Sequence, residues 1–264
     1  YRRDFTVNAS LYDTTVFTCN DSLESMMTCI YEAYASRLGH RRIRLELEPV
    51  RQPELFCRYL SVETDEKKAF AVVRSIKEKI SAKAWQTVFQ TAMSWRPDRP
   101  DLIYRFLLLG FHHGPAVTDM IQYEAVSRIY DVSRSVYREA HLFREFIRFA
   151  CTSQNILVSH IEPKSNILSL TAPHFCGRMP SENWIILDDN RKLAAIHPAD
   201  QDFYLTHVTD RELALLRQTE KADACSALWK EFFHSVSIHQ RYNPRCQRSL
   251  MPLRYRHHMT EYLK

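Results

Sequence analysis

Charged and hydrogen-bonding side chains are concentrated in the segment REAHLFREFIRF, residues 138–149. The segment contains neither glycine nor proline, which favours a helix. Helical spacing places Arg138, His141 and Arg148 on one face. This face is either solvated and laced with ion pairs or the wall of a polar groove. In a groove, Arg138 and Arg148 would bind phosphates, and His141 or Glu139 would transfer a proton.

A second cluster lies in HFCGRMPSENWIILDD, residues 174–189, where Gly177 and Pro180 predict a turn after a disturbed helix. A strand follows the turn and ends at Asp188. A histidine, an arginine and an aspartate gathered at a sheet edge can form an acid–base or phosphate site. Alternatively, Asp188 only caps the hairpin turn and His174 lies in the core. The candidate catalytic residues from both clusters are Glu139, His141, His174 and Asp188.

The third cluster is the C-terminal segment, in which arginines alternate with tyrosines and amides. From Cys225 to Lys264 there are seven Lys and Arg residues and two Glu residues, an excess equal to the net charge of +5 of the whole chain. Arginine binds phosphate with two hydrogen bonds, and tyrosine stacks on exposed bases. A solvated basic tail is the simpler alternative. The nucleic-acid-binding candidates are Arg138, Arg148, Arg178, Arg241, Tyr242, Asn243, Arg245, Arg248, Arg254 and Tyr255.

Cysteine, histidine and glycine usage indicates neither a metal site nor an identifiable cofactor. The seven cysteines show no CxxC spacing, and their odd number favours free thiols in a reducing compartment. The histidine pairs 112–113 and 257–258 lack a third ligand at helical spacing, so we expect no metal. With four glycines and no glycine-rich motif, the sequence does not predict a glycine-lined phosphate-binding loop.

The sequence pattern around these clusters predicts an α+β fold. We expect a mainly helical body with a small mixed or antiparallel sheet. We expect one domain over residues 1–264. Residues 1–62 are predicted as strand–helix–strand and residues 63–150 as helical, with a joint near residues 131–133. Residues 151–200 are predicted as strands with one helix, and residues 201–264 as a helical, basic C-terminal part.

No apolar run approaches the length of about 20 residues that a membrane-spanning helix needs, and no secretory signal is present. We therefore expect a cytoplasmic protein without a membrane partner.

Four segments together resemble a known family. LYDTTVFT, YREAHLFREFIRF, HFCGRMPSENWIILDDNR and LWKEFFHSVSIHQRYNPRCQRSLMPLRY occur in this order along nearly the whole chain. They resemble a bacterial family of unknown function labelled "probable DNA metabolism protein". Its members are encoded beside a radical-SAM DNA modification or repair protein, and some are fused to a uracil-DNA-glycosylase-like domain.

The resemblance implies a DNA-binding accessory protein in DNA repair or modification that acts with a radical-SAM partner. It supplies no catalytic residues. Two alternatives stay open. One is an enzyme acting on nucleic acid or a damaged base through a Glu/His/Arg/Asp cleft, and the other is a protein-interaction module that serves as a scaffold for the same partner.

Overall fold

The computed structural model describes residues 14–50, 52–219, 224–238, 240 and 243–262. The chain forms two compact units, Tyr1–Val136 and Tyr137–Lys264, and each contains one β-sheet. The predicted α+β class is confirmed. The strands, expected to form one small sheet, form two. The prediction of one family domain over residues 1–264 stays a prediction.

The first unit combines a parallel sheet with helices. Its strands and helices are β1 (Thr14–Cys19), α1 (Leu23–Ala35), β2 (Ile43–Leu47), β3 (Cys57–Ser61), α2 (Glu66–Lys79), α3 (Ala82–Ala92), α4 (Arg99–His113) and the first part of α5 (Glu124–Phe146). The strand order is β2–β1–β3, and both pairs are parallel. The sequence did not predict β3, because CRYLS has no alternating apolar pattern.

Local sequence explains where the helices of this unit begin. The side chains of Ser22, Asp65 and Ser81 accept hydrogen bonds from backbone amides in the first turns of α1, α2 and α3. The apolar faces of these helices and of α4 share one core, which includes the fully buried Ile103 and Phe106. The strands therefore lie under a helical layer, as the hydrophobic pattern indicates.

Helix α5 runs unbroken from Glu124 to Phe146, whereas the sequence predicted a joint near residues 131–133. Asp131 and Ser133 are poor helix formers, but neither breaks a helix as proline does. Ser133 is buried, and its hydroxyl donates to Gln90 Oε1 at 2.5 Å. Its hydroxyl therefore has a partner in the core, and α5 does not break at this position.

The second unit contains a mixed five-stranded sheet. After the last part of α5, its elements are β4 (Ala150–Cys151), β5 (Leu157–Ile161), α6 (Leu168–Arg178), β6 (Trp184–Asp188), β7 (Leu193–His197), β8 (Tyr204–His207), α7 (Asp210–Thr219), α8 (Ala224–Ser235) and α9 (Pro244–Leu250). The strand order is β4–β5–β6–β7–β8. Strands β5 and β6 are parallel, and the other pairs are antiparallel.

The unit positions its polar residues at the carboxyl ends of β5 and β6, which lie at the same edge of the sheet because the strands are parallel. Trp184 at the start of β6 is fully buried and stacks on His197, with ring centroids 4.8 Å apart. Strand β8 lies in the part predicted as helical. Its side chains are mostly exposed, so it carries little of the hydrophobic alternation that identifies a strand.

Among the described residues, no helix combines the length and the hydrophobicity that crossing a membrane requires.

Candidate functional site

The last part of α5 has one apolar face and one charged face, as its sequence predicts. Ala140 and Phe143 are buried, and the Phe143 ring meets the ring of Tyr255 edge-on at 4.9 Å. Arg138 and His141 are exposed. This burial fixes the rotation of the helix and directs its basic side chains outward.

A group of basic side chains joins α5 to α6. Arg144 Nη2 donates to the carbonyl oxygen of Leu170 at 2.5 Å. Burial lowers the pKa of His174, and the positive charges of Arg144, Arg178 and His141 lower it further. Arg144, Arg178 and His141 therefore each lie close enough to His174 to affect its protonation.

The basic group continues along α5 towards the C-terminal segment. Arg254 lies over the ring of Tyr255, 4.7 Å from its centroid, and Nη2 donates to the hydroxyl at 2.6 Å. Burial raises the pKa of Tyr255, while the nearby Arg254 and Arg138 oppose that rise. Arg138 is one helical turn from His141, which links the two groups. We call this set the basic band: Arg138, His141, Arg144, His174, Arg178 and Arg254.

Positive charge predominates in the basic band. In the described part of the chain, its ion pairs are His141 with Glu145 at 3.4 Å and Arg254 with Glu139 at 4.0 Å. The band therefore has four positively charged guanidinium groups and two negatively charged carboxylate partners. Its net charge is positive even when both histidines are neutral. The excess gives this surface a positive potential that attracts anions.

Glu139 lies on the buried side of α5, not in the exposed band. Its two carboxylate oxygens accept hydrogen bonds from the backbone amides of Lys164 and Ser165, at 3.0 and 3.1 Å. Each oxygen is therefore engaged with the main chain. These contacts favour a structural role, in which Glu139 holds the segment after β5.

Asp188 is fully buried at the end of β6 and caps the turn that follows. It accepts hydrogen bonds from the amides of Asn190 and Arg191, at 3.1 and 3.2 Å, and from Arg191 Nη1 at 2.9 Å. Burial raises its pKa, although these hydrogen bonds and the guanidinium charge act in the opposite direction. These contacts agree with the alternative from sequence in which Asp188 caps the turn.

Arg191 connects this turn to the segment that Glu139 holds. Its guanidinium donates to the carbonyl oxygens of Pro163 and Lys164, as well as to Asp188. The segment at residues 163–165 is thus bound through its amides by Glu139 and through its carbonyls by Arg191. No hydrogen bond among the described residues joins this network to His141 or His174. The four candidate catalytic residues therefore form two groups.

A cluster of histidine and carboxylate side chains lies at the same sheet edge. His160 Nδ1, on β5, is 2.8 and 3.1 Å from the two carboxylate oxygens of Asp189, which follows β6. His258 Nε2 is 3.2 Å from Glu162 Oε1, and the His160 and His258 rings stack with centroids 6.1 Å apart. One ligand atom from each of Glu162, Asp189 and His258 lies within 4.8 Å of the others.

Three predicted nucleic-acid contacts have other roles. Arg148 Nη2 binds the buried carboxylate of Glu261 at 2.9 Å, which neutralises its charge. Asn243 caps α9 by accepting from the amide of Cys246 at 3.0 Å. The ring of Tyr255, which the sequence suggested for base stacking, is 4 % exposed and packs against phenylalanines.

The remaining C-terminal candidates fall into two groups. Arg245 and Arg248 are exposed on α9 and have no ion-pair partner among the described residues. Arg241 and Tyr242 lie outside the described residues.

Sequence reasoning missed several residues of these arrangements. Arg144 lies in the opening segment but is off the charged stripe that the helical spacing defined. The four residues His160, Glu162, Asp189 and His258 are far apart in the sequence, so no local spacing rule connects them. One feature could have indicated this cluster: polar residues follow the ends of both β5 and β6. In parallel strands these ends meet at the same edge of the sheet.

Comparison with known proteins identifies the family. None of the curated proteins compared with the chain matches it. Residues 97–261 match a family described as a domain of unknown function, DUF4130, and this match covers more than half of the 264 residues. The match includes α4, α5 and nearly all of the second unit. The chain therefore belongs to the DUF4130 family.

Proposed function

We propose that the protein is a DNA-binding accessory in DNA repair or modification, and that the basic band binds the phosphate backbone. The observation that carries the proposal is the excess of guanidinium groups over carboxylates in the band, on exposed parts of α5 and α6. The resemblance to DNA metabolism proteins supplies the class of polyanion.

Phosphate contacts would supply the affinity, because every DNA sequence carries the same charged backbone. Arg138, Arg178 and Arg254 have exposed side chains and can each contribute a bidentate contact. Arg245 and Arg248 on α9 offer two further cations. Tyr255 supplies no base stacking, so binding through these residues follows the charge of the strand and not its sequence.

The test is fluorescence anisotropy with labelled single-stranded and double-stranded DNA over a range of salt concentrations. The logarithm of the affinity should fall linearly with the logarithm of the salt concentration, by about 0.7–0.9 per phosphate contact. The double variant Arg138→Gln/Arg178→Gln should bind more weakly and show a slope reduced by about two contacts. Affinity that does not depend on salt would contradict DNA binding of this kind.

Arg128→Gln is the matched control. It removes one positive charge from an exposed arginine that already pairs with Asp98 at 2.8 Å and Glu124 at 3.4 Å. Its salt slope should equal that of the unmodified protein. If the control weakens binding as much per charge as the double variant, net charge explains the affinity and the basic band does not.

A second function, as a scaffold for the radical-SAM partner, is favoured by the outer face of α8. Leu228 and Phe232 on α8, and Val236 directly after its last residue, follow one another at four-residue intervals and are 69, 55 and 55 % exposed. A row of large apolar side chains along one helix face is typical of a protein-binding surface. The occupant that the resemblance implies is the radical-SAM protein.

A pull-down with a radical-SAM protein of the kind encoded beside members of the resembled family tests the scaffold function. Phe232→Glu should abolish the association, because it places a charge in the apolar row. Phe70→Glu, at a side chain 72 % exposed in the first unit, is the control and should leave the association intact. Equal retention by both variants would exclude the α8 face as the binding surface.

A further inference from the structure

We propose that Glu162, Asp189 and His258 bind a divalent first-row transition-metal ion at the carboxyl ends of β5 and β6. The proposal goes beyond DNA binding and does not depend on it, since none of the three residues belongs to the basic band. It reverses the expectation from sequence, which considered only CxxC pairs and histidines at helical spacing.

The distances between the ligand atoms are close to those of a coordination sphere. Zinc-type sites hold nitrogen and oxygen ligands at about 2.0–2.2 Å, which places neighbouring tetrahedral ligands about 3.3–3.5 Å apart. His258 Nε2 and Glu162 Oε1 are 3.2 Å apart, and no pair among the three groups exceeds 4.8 Å.

The nitrogen of His258 points to a ligand more directly than the distances do. Nε2 is shielded from solvent and, among the described residues, forms no hydrogen bond of acceptable geometry, although Glu162 is within 3.2 Å. Burying a polar nitrogen without a partner costs free energy. A metal ion between the imidazole and the carboxylates satisfies the nitrogen and neutralises both negative charges.

A neighbouring histidine holds one of the carboxylates in position. His160 contacts both oxygens of Asp189, and both side chains are 9 % exposed. Hydrogen bonds of this kind to a ligand side chain orient it and increase metal affinity, and their loss typically costs about 10–100-fold. His160 is therefore a positioning residue for the proposed site.

The donor set selects a class of metal. One imidazole and two carboxylates suit Mn²⁺, Fe²⁺, Co²⁺ and Zn²⁺, whereas Ca²⁺ and Mg²⁺ prefer oxygen ligands alone. Three protein ligands leave coordination positions for water or for a substrate oxygen. Manganese is the most informative probe, because thiolates bind it weakly and the chain contains seven cysteines.

The experiment treats the full chain with a chelator, removes the chelator and adds Mn²⁺. The electron paramagnetic resonance signal of free Mn²⁺ measures how much is bound. The unmodified protein should bind one ion, and the variants His258→Ala and Glu162→Gln should each bind at least tenfold more weakly. His257→Ala is the matched control, because it removes the adjacent, exposed histidine and should bind as the unmodified protein does.

Two results would overturn the proposal. One is an unmodified protein that binds no Mn²⁺ or Zn²⁺. The other is equal binding by His258→Ala, Glu162→Gln and the His257→Ala control, which identifies the binding as adventitious. Glu162 is exposed, so Glu162→Gln should keep the fold, and thermal melting with chelator verifies this. DNA affinity measured with chelator is expected to persist, which separates this test from that of the basic band.

Discussion

At the scale of single residues, Glu139 and Asp188 illustrate how a carboxylate in a polar cluster can serve the backbone. The sequence left two roles open for Asp188, a reactive group or a turn cap. Its hydrogen bonds are those of a cap. Asp-Asn after a strand is a strong local signal for such a turn. The partners of Glu139 were not predictable, because they are amides of a segment that only the folded chain brings near α5.

Glu139→Ala is expected to lower the free energy of unfolding by about 1–3 kcal/mol, because two backbone amides lose their hydrogen-bond acceptors. Glu139→Gln should cost less, since the amide oxygen still accepts one hydrogen bond. Urea denaturation measures both. The control Glu145→Ala, on the exposed side of the same helix, should change stability by about 0.2–1 kcal/mol at most. A cost for Glu139→Ala no larger than that of the control would contradict the structural role.

At the scale of elements, the residues that cap the first turn of a helix show from the sequence where helices begin. Ser22 and Asp65 are residue types that favour the start of a helix, and their side chains accept hydrogen bonds from first-turn amides of α1 and α2. The sequence TDRE before α7 carries the same kind of signal and was not used. Glu212 Oε2 accepts from the amide and the hydroxyl of Thr209, and the Glu212 amide donates back to that hydroxyl.

This capping box predicts a pH response. Hydrogen bonds from the Thr209 amide and hydroxyl hold the pKa of Glu212 below its ordinary value of 4.5. The stabilisation is therefore complete above 4.5 and is lost as the pH falls through the lower pKa of the folded state. In Thr209→Ala, the pKa of Glu212 should shift back towards 4.5 by NMR titration.

Amide exchange in the first turn of α7 should also become faster in Thr209→Ala, because the helix loses its cap. Thr206→Ala, in β8, is the matched control and should leave both the Glu212 titration and this exchange unchanged. An unchanged pKa of Glu212 in Thr209→Ala would show that the Thr209 hydroxyl does not contribute to its lowered value, which then comes from the backbone amide.

At the scale of the whole molecule, the distribution of charge was predicted in part. The sequence indicated that distant arginines face a common polyanion, and the basic band does combine Arg138 and Arg178 with Arg254. The same reasoning assigned Arg148 to this surface, although Arg148 binds Glu261. Sequence alone could not distinguish them, because the partner of each arginine is set by the packing of segments that are far apart along the chain.

The family match and the compact units have different boundaries, and this predicts the behaviour of a fragment. The match begins at residue 97, just before α4. Ile103 and Phe106 of α4 are fully buried in a core that includes residues of β1, β2 and α1–α3. A fragment of residues 97–264 should therefore expose an apolar helix face.

We expect this fragment to bind more of the dye ANS than the full chain and to melt at a lower temperature, or to aggregate. The full chain at the same concentration is the control. A fragment that melts cooperatively at the temperature of the full chain, without added dye binding, would show that the matched region folds independently.

The segment at residues 163–165 is clamped from opposite sides, by Glu139 through its amides and by Arg191 through its carbonyls. Its conformational entropy is therefore lost during folding and not during ligand capture. Ligands arriving at this end of the sheet meet a rim that is already ordered. Their association should then follow a single kinetic phase, with a rate proportional to ligand concentration and no slow loop closure.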